Sequence, residues 1–313
     1  MTRHTYSVII PHYNDSEGLA ACLNSIPERD DIQVIVVDDC SASVSIKTIE
    51  NLKKLWGGYL VLSTGNNKGG GAARNIGLDS ADGKWLLFAD ADDSFTEDAF
   101  SAFDAYGNSG YDIVFFTHSV AAGDGINQKT IKKISSYKKY RDEVIQEYNG
   151  SLHSAGGRRC STKNNRKKLI SWFWEPWAKL FSRDFIKEKN IRFEETRAAN
   201  DAFFYVSAGT KASTIAADDR EVYIYSIKKD STERSYNRKK DFDRLTQRLK
   251  INRLLAENHC RFYRCMYVHI LLLIAKRYGL KAGLKALALT LSYTSPLDVC
   301  PFTYHNLRKL MVR

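Results

Sequence analysis

The chain has 313 residues and an apolar fraction of 43%, values that fit a folded globular protein and exclude disordered and collagen-like classes. Its net charge is +11, yet residues 1–110 carry 8 basic and 16 acidic side chains, 111–240 carry 26 and 16, and 241–313 carry 13 and 4. That distribution argues against a nucleic-acid coat, because an acidic third of the chain would repel phosphate.

In chain order, Tyr6 to Ile10 is a β-branched apolar run ended by Pro11. Leu19, Cys22, Leu23 and Ile26 follow at helical spacing. Ile32 to Val37 is a second strand, stopped by Asp38 and Asp39. Ile46, Ile49, Leu52 and Trp56 predict a helix, and Tyr59 to Leu62 a third strand. Gly69, Gly70 and Gly71 open a helix that runs through Leu78. Trp85 to Phe88 is a fourth strand, leading into Asp90-Ala91-Asp92-Asp93. Apolar strands alternating with helices predict a mainly parallel sheet covered on both faces.

Further on, Tyr111 to Phe116 reads as a fifth strand. The stretch from Ala121 to about Lys168 is basic and weakly periodic, and reads as a long, partly mobile insertion. Trp172 to Ile186 reads as a turn leading into a helix, Ile191 to Phe193 as a short extended piece, and Asn200-Asp201 as the start of a helix. Glu221 to Ile227 alternates like a strand. Residues 241–313 read as largely helical, with Leu280, Leu284, Leu287 and Leu291 on one face, flanked by Arg277, Lys281 and Lys285. Two readings of that face stay open: docking on an anionic membrane surface, or ordinary packing on the rest of the chain.

Six cysteines without a CxxC pair read as reduced thiols of a cytosolic protein. His259, Cys260 and Cys265 match no usual zinc spacing. The N-terminal stretch has no long apolar signal core. The longest apolar run, Cys265 to Ala275, falls short of the roughly 20 residues a spanning helix needs.

In open parallel sheets, ligands bind beyond the carboxyl ends of the strands. Two of these strands end in acidic clusters, which brings Asp38, Asp39, Asp90, Asp92 and Asp93 to one crevice. Carboxylates in an Asp-x-Asp spacing suit one hard divalent cation completed by substrate phosphates. The glycine run lets backbone approach a ligand, and Arg74 offers a fork for phosphate. No GxxxxGK[ST] loop, no GxGxxG after the first strand and no GxSxG elbow is present. His12 is a loop residue beside the crevice, and Trp172, Trp174 and Trp177 are either a stacking platform for a ligand or core residues. Asp93 reads as a cap behind the site.

Residues 7–14 (SVIIPHYN), 33–41 (QVIVVDDCS), 66–93, 176–193, 200–204 (NDAFF) and 223–232 (YIYSIKKDST) together resemble the family 2 glycosyltransferases of bacterial surface-polysaccharide type, which have the GT-A fold. The resemblance implies a Rossmann-like, mainly parallel α/β sheet flanked by helices and a catalytic domain over 1–240 (donor half about 1–117, insertion about 118–170, acceptor half about 171–240). It does not reach residues 241–313, which read from their own pattern as a helical, basic C-terminal extension. It also implies a nucleotide-sugar donor, UDP-sugar favoured, a glycan or lipid-linked glycan acceptor, Mn²⁺ or Mg²⁺, and inversion at the anomeric carbon. Pro11, Tyr13 and Asp39 would line the base and ribose pocket, with Arg74 near the diphosphate and Asp90 towards the ribose. Asp92 would hold the metal, Trp177 would meet the acceptor, and Asp201 would be the general base. Two departures stand out: Asn200 replaces the usual Glu, and Lys228 stands where relatives carry His, offering diphosphate a point charge where His would offer metal a ligand. The expected location is cytoplasmic, with docking at the inner face of the cell membrane as one of the two open readings of the C-terminal extension. The competing class is a non-catalytic nucleotide-sugar or glycan-binding protein on the same scaffold.

Overall fold

The computed structural model describes residues 4–42, 60–123, 125–153, 159–196, 198–228, 237–260 and 267–293. The helix expected around Ile46 to Trp56 lies outside them, as does Cys265. Strand β1 spans Tyr6–His12, helix α1 Ser16–Asn24, β2 Ile32–Asp38 and β3 Leu60–Ser63. Helix α2 follows at Gly70–Ser80, then β4 at Trp85–Phe88, β5 at Ser94–Phe95 and α3 at Ala99–Asp104. Strand β6 (Ile113–Ala122), α4 (Gln128–His153), α5 (Arg159–Trp172), β7 (Lys179–Ser182) and α6 (Arg183–Glu188) come next. The chain continues with α7 (Asn200–Lys211), β8 (Ile215–Ile227), α8 (Arg238–Glu257), α9 (Val268–Tyr278) and α10 (Leu280–Tyr293).

One eight-stranded sheet runs in the order β3-β2-β1-β4-β7-β6-β8-β5. β3, β2, β1 and β4 are all parallel. Beyond them the sheet is mixed, because β7 runs antiparallel to both β4 and β6, while β6 and β8 are parallel again. The alternation of β1 builds both layers: Val8 and Ile10 face Leu19, Leu23 and Phe103, and Ile9 faces Ala73, Phe88 and Phe204. Pro11 does not end β1; it pairs with Val37, and the strand continues to His12.

The expected mobile insertion is instead two helices. Val144, Ile145 and Tyr148 of α4 and Leu169 and Ile170 of α5 join the main core. The sequence pattern hides this stripe, because lysines crowd it and because Arg141, on the same face, is completely buried. Arg141 donates to Phe116 O (3.0 Å) and to His118 Nδ1 (3.3 Å), so helix α4 is tied to β6 by a buried cation. The segment after Trp172 forms β7 before its helix. Lys179 is buried there, donates to the Glu175 carbonyl and lies 4.7 Å from the Tyr205 ring centre.

At the C-terminal end, Ile251 and Leu255 of α8 enter the main core. Leu245 and Leu249 of the same helix form a smaller core with Ile270, Ile274, Ala282 and Ala286. Helix α10 packs through its small residues, Ala282, Gly283, Ala286 and Thr290. A Cβ on Gly283 would come within 2.8 Å of the Ala275 Cβ, so α9 and α10 cross closely. Leu289 packs against this smaller core, while Leu280, Leu284, Leu287 and Leu291 face away from the body.

Candidate active site

β1, β2 and β4 deliver their carboxyl ends to one edge, with His12 opposite Asp38 and Ile9 opposite Phe88. The Asp39 N–H donates to the His12 carbonyl at 2.8 Å and extends the ladder by one residue. The Asp39 carboxylate is buried and accepts from Thr64 Oγ1 (2.9 Å), Lys68 N–H (2.8 Å) and Gly69 N–H (2.7 Å). Its first structural role is thus to fold the 64–69 loop onto the sheet edge. Gly69, with φ of 97°, then turns the chain into α2 in a conformation that disfavours side chains.

Gly71 is required by proximity. A Cβ there would lie 2.2 Å from the Glu194 carbonyl oxygen and 3.0 Å from the Asn200 Cβ. The start of α2 is therefore seated directly against the loop that leads into α7. Gly71→Ala is expected to destabilise the protein by about 1–3 kcal/mol through overpacking, read as a lowered Tm. An unchanged Tm would mean that the two helix starts are not held this closely.

Arg74, one turn along α2, is buried at 7% exposure. Its Nη1 donates to Asn200 Oδ1 at 3.2 Å, its Nη2 to Asp90 Oδ1, and its guanidinium lies over the Phe193 ring. Nε is buried without a partner. Arg74 thereby joins the β4 turn to the first residue of α7, beside Asp201. Asn200 fits this join: its amide oxygen accepts from Arg74 where a carboxylate would add a second buried charge.

In the turn after β4, each aspartate has a different environment. Asp90 is bound to Arg74. Asp93 is buried and does not cap a helix. It accepts from Tyr223 Oη (3.0 Å) and from Ser226 N–H (2.7 Å), which clips β8 to the turn. Burial, with Asp90 nearby, pushes the Asp93 carboxyl up to about 8. The Asp92 side chain is 42% exposed, and its Oδ2 lies 4.0 Å from Lys228 Nζ. Burial of part of the group and the charge of Asp90 raise its pKa.

Asp201 sits in the first turn of α7, after Ala199 in a left-handed conformation (φ 55°). Burial pushes its carboxyl up to about 6; Arg74 opposes the shift and Asp90 adds to it. A carboxylate poised near neutrality is suited to taking a proton.

The remaining sequence candidates divide. Tyr13 is 51% exposed at the mouth of the crevice, and Pro11 is half-buried inside β1. Lys228, just past β8, reaches the crevice from the far side of the sheet and pairs with Asp15 at 2.6 Å. Trp177 is only 5% exposed, stacked on Tyr223 (4.9 Å) and Tyr225 (5.7 Å), with Arg141 5.3 Å from its ring centre and His118 against its edge. It is a packed side chain with no open face for a sugar, which corrects the expected acceptor contact. Trp174 is likewise engaged, donating to Ser171 O (2.7 Å) and lying beneath Arg248. His12 is completely enclosed: its Nε2 accepts the Asp15 N–H (3.2 Å), and Nδ1 faces Asp38 Oδ1 (3.0 Å). That leaves its ring no lone pair for catalysis.

Sequence reasoning missed the supports. Asp15 carries a local signal, an acidic residue three before Gly18 at a helix start; its Oδ1 accepts the Gly18 N–H at 3.0 Å. Lys179 carries another, a lone cation in an apolar strand. Tyr223 and Arg141 carry none, because their partners lie far away in the sequence.

A model described as "Glycosyl transferase family 2" matches residues 7–187, more than half of the chain. The chain belongs to glycosyl transferase family 2. Among its family 2 relatives, the poly(ribitol-phosphate) beta-N-acetylglucosaminyltransferase TarS of Staphylococcus aureus strain MW2 is 25% identical over 260 residues, which cover 80% of this chain and 41% of TarS. The chain therefore spans about two fifths of the length of that relative. The crystal structure of S. aureus TarS 1–349 in complex with UDP-GlcNAc superposes with a TM-score of 0.68 at 19% identity, covering 95% of this chain and 83% of that one. The mannosyltransferase PcManGT from Pyrobaculum calidifontis, in complex with GDP-Man and Mn²⁺, superposes with a TM-score of 0.55 at 15% identity, covering 99% and 86%. These superpositions establish the GT-A fold for the family 2 chain.

Whether a divalent cation suits the site rests on its donor set. Asp90 is committed to Arg74 and Asp93 to Tyr223 and Ser226, which leaves Asp92. Among the described residues, no group of three His, Cys, Asp or Glu side chains is placed to hold a metal. One exposed carboxylate fits a hard cation that completes its shell with substrate phosphates and water.

Proposed function

We propose that this chain transfers a sugar from a nucleoside-diphosphate-sugar to a glycan or lipid-linked glycan hydroxyl, with inversion, in the synthesis of a bacterial surface polysaccharide. The observation that carries this reading is the Arg74 fork, which couples Asp90 of the β4 turn to Asn200 at the start of α7. It sets a candidate base, Asp201, beside the place where a donor diphosphate would lie. UDP-sugar is the favoured donor, since TarS of the same fold was crystallised with UDP-GlcNAc.

The reaction is a single displacement. Asp201 takes the proton of the acceptor hydroxyl as its oxygen attacks the anomeric carbon, and the bond to the diphosphate breaks. Arg74 stabilises the departing diphosphate by hydrogen bonds that strengthen as charge develops there. Pro11, Tyr13 and Asp39 line the nucleoside pocket, with Tyr13 free to cover the base and Asp90 towards the ribose. Mn²⁺ or Mg²⁺, held by Asp92 and the donor phosphates, would take up part of the same charge when bound.

The test is incubation with UDP-, GDP- and dTDP-sugars plus Mn²⁺. Slow hydrolysis of one donor, lost in Asp201→Asn, supports the enzyme. Binding of a donor without turnover, even with glycan acceptors, would favour the non-catalytic alternative.

The exposed leucines of α10 bear on location. Leu280, Leu284, Leu287 and Leu291 are 77%, 58%, 43% and 56% exposed, and Leu272 of α9 is 61% exposed. Lys276, Lys281 and Lys285 are exposed beside them. An apolar stripe bordered by cations matches an anionic membrane surface, where a lipid-linked acceptor would be presented. No helix among the described residues is long and apolar enough to cross a membrane, so this would be docking at the inner face. Intact protein is expected to pellet with anionic liposomes at low salt. Leu284→Glu with Leu287→Glu is expected to reduce that binding at least about tenfold, as each leucine insertion is worth on the order of 1 kcal/mol or more. Failure of the intact protein to pellet with anionic liposomes at low salt would refute the docking.

A further inference from the structure

Lys228 has three structural supports. Asp93 fixes β8 two residues earlier through the Ser226 N–H. Asp15 holds the ammonium at 2.6 Å, and Asp15 is itself oriented, with Oδ1 capping α1 and its backbone N–H on His12. Asp92, the exposed carboxylate of the β4 turn, lies 4.0 Å away on the other side. The ammonium therefore stands between two partly exposed carboxylates, Asp15 at 2.6 Å and Asp92 at 4.0 Å.

Lysine cannot ligate a metal while charged, and its repulsion weakens any cation shared with Asp92. It can, however, bind phosphate as a point charge. We propose that Lys228, seated by Asp15, is a protein-supplied cation for the donor diphosphate, so that this chain binds nucleoside diphosphates without a divalent metal. This rests on the donor-site reading above. A metal carried in with the donor adds to the charge already present but does not gate binding. Asp15 is a positioning residue: it holds Lys228 towards the crevice and gives it up in part when phosphate arrives.

The experiment is calorimetric titration of UDP, GDP and dTDP into the full chain, in EDTA and in MnCl₂. Wild type is expected to bind one of them with Kd values in the two buffers within about threefold. Lys228→Ala is expected to lose about tenfold or more of that affinity in EDTA. Lys228→His is expected to bind weakly in EDTA and about tenfold more tightly in Mn²⁺, since a neutral imidazole can join Asp92 as a ligand. Asp15→Asn is expected to weaken binding in EDTA by a smaller factor than Lys228→Ala does. The Lys228 side chain is 43% exposed, so its variants are expected to keep the wild-type Tm, which controls for folding. Binding by wild type that vanishes in EDTA overturns the proposal, as does Lys228→Ala with wild-type affinity in EDTA. If no nucleotide binds in either buffer, the donor-site reading itself fails and takes this proposal with it.

Discussion

Replacing Asp201 with Asn is expected to lower kcat by about 10²–10⁴-fold, the usual contribution of a positioned base. The donor Kd is expected to stay within about threefold, because the amide keeps the shape of the carboxylate and only the proton acceptor is lost. The pH profile gives an independent readout. Asp201 must be ionised to act, and its carboxyl is pushed up to about 6 by burial, with Arg74 opposing and Asp90 assisting. The wild-type kcat/KM should therefore be flat above pH 6 and fall about tenfold per unit below it. The residual activity of Asp201→Asn should lack that limb. Stability should not fall. A carboxyl whose folded pKa is raised costs the fold stability as pH rises from the unfolded value to the folded one, and Asn has no such titration. Retained turnover in a folded Asp201→Asn protein would remove Asp201 from the mechanism.

Arg74→Lys is expected to reduce kcat/KM by about 10²–10³-fold, the loss seen when a preorganised donor to a developing anion is removed. Lysine keeps the charge but not the fork. One ammonium cannot span Asn200 Oδ1 and Asp90 Oδ1, which Arg74 reaches through two nitrogens. Arg74→Ala should be worse in a second respect, since it leaves Asp90 without its counter-charge and opens a cavity under Phe193. Its Tm should fall, whereas that of Arg74→Lys should fall less. If both variants turn over at the wild-type rate, Arg74 is only an internal brace between α2 and α7.

Much of the donor side was legible in the chain. Apolar runs of four to six residues mark β1, β2, β3 and β4, and the run for β4 has the observed ends, Trp85–Phe88. The runs of β1 and β4 are legible because both strands are buried on both faces, which leaves few polar positions to blur them. The acidic clusters were legible because they break those runs abruptly. Helices α4 and α5 were misread because their buried faces carry Arg141 and Asn165 amid many lysines. A pattern of apolar and polar positions treats a buried arginine as surface, although its cost of burial is met by the Phe116 carbonyl and by aromatic rings. Trp177 shows the converse. Its place in a recognisable motif suggested a ligand contact, but the stacking of Tyr223 and Tyr225 upon it could be seen only in the folded sheet.

By itself, then, the sequence determined the family, the strand-and-helix alternation, and the residue types available at the sheet edge. These follow from local periodicity and from motifs whose members lie within a few residues of each other. The tertiary structure decided how each charge is used. Asp39 faces a loop, Asp90 faces Arg74, Asp93 faces β8, and Asp92 alone remains open beside Lys228. It also turned four of the five leucines of α10 outward, because small residues let α9 and α10 approach closely on the other face. The physical reason is the same throughout: a carboxylate's role is set by the donors within about 3 Å of it, and here those donors come from residues as far as 213 positions away.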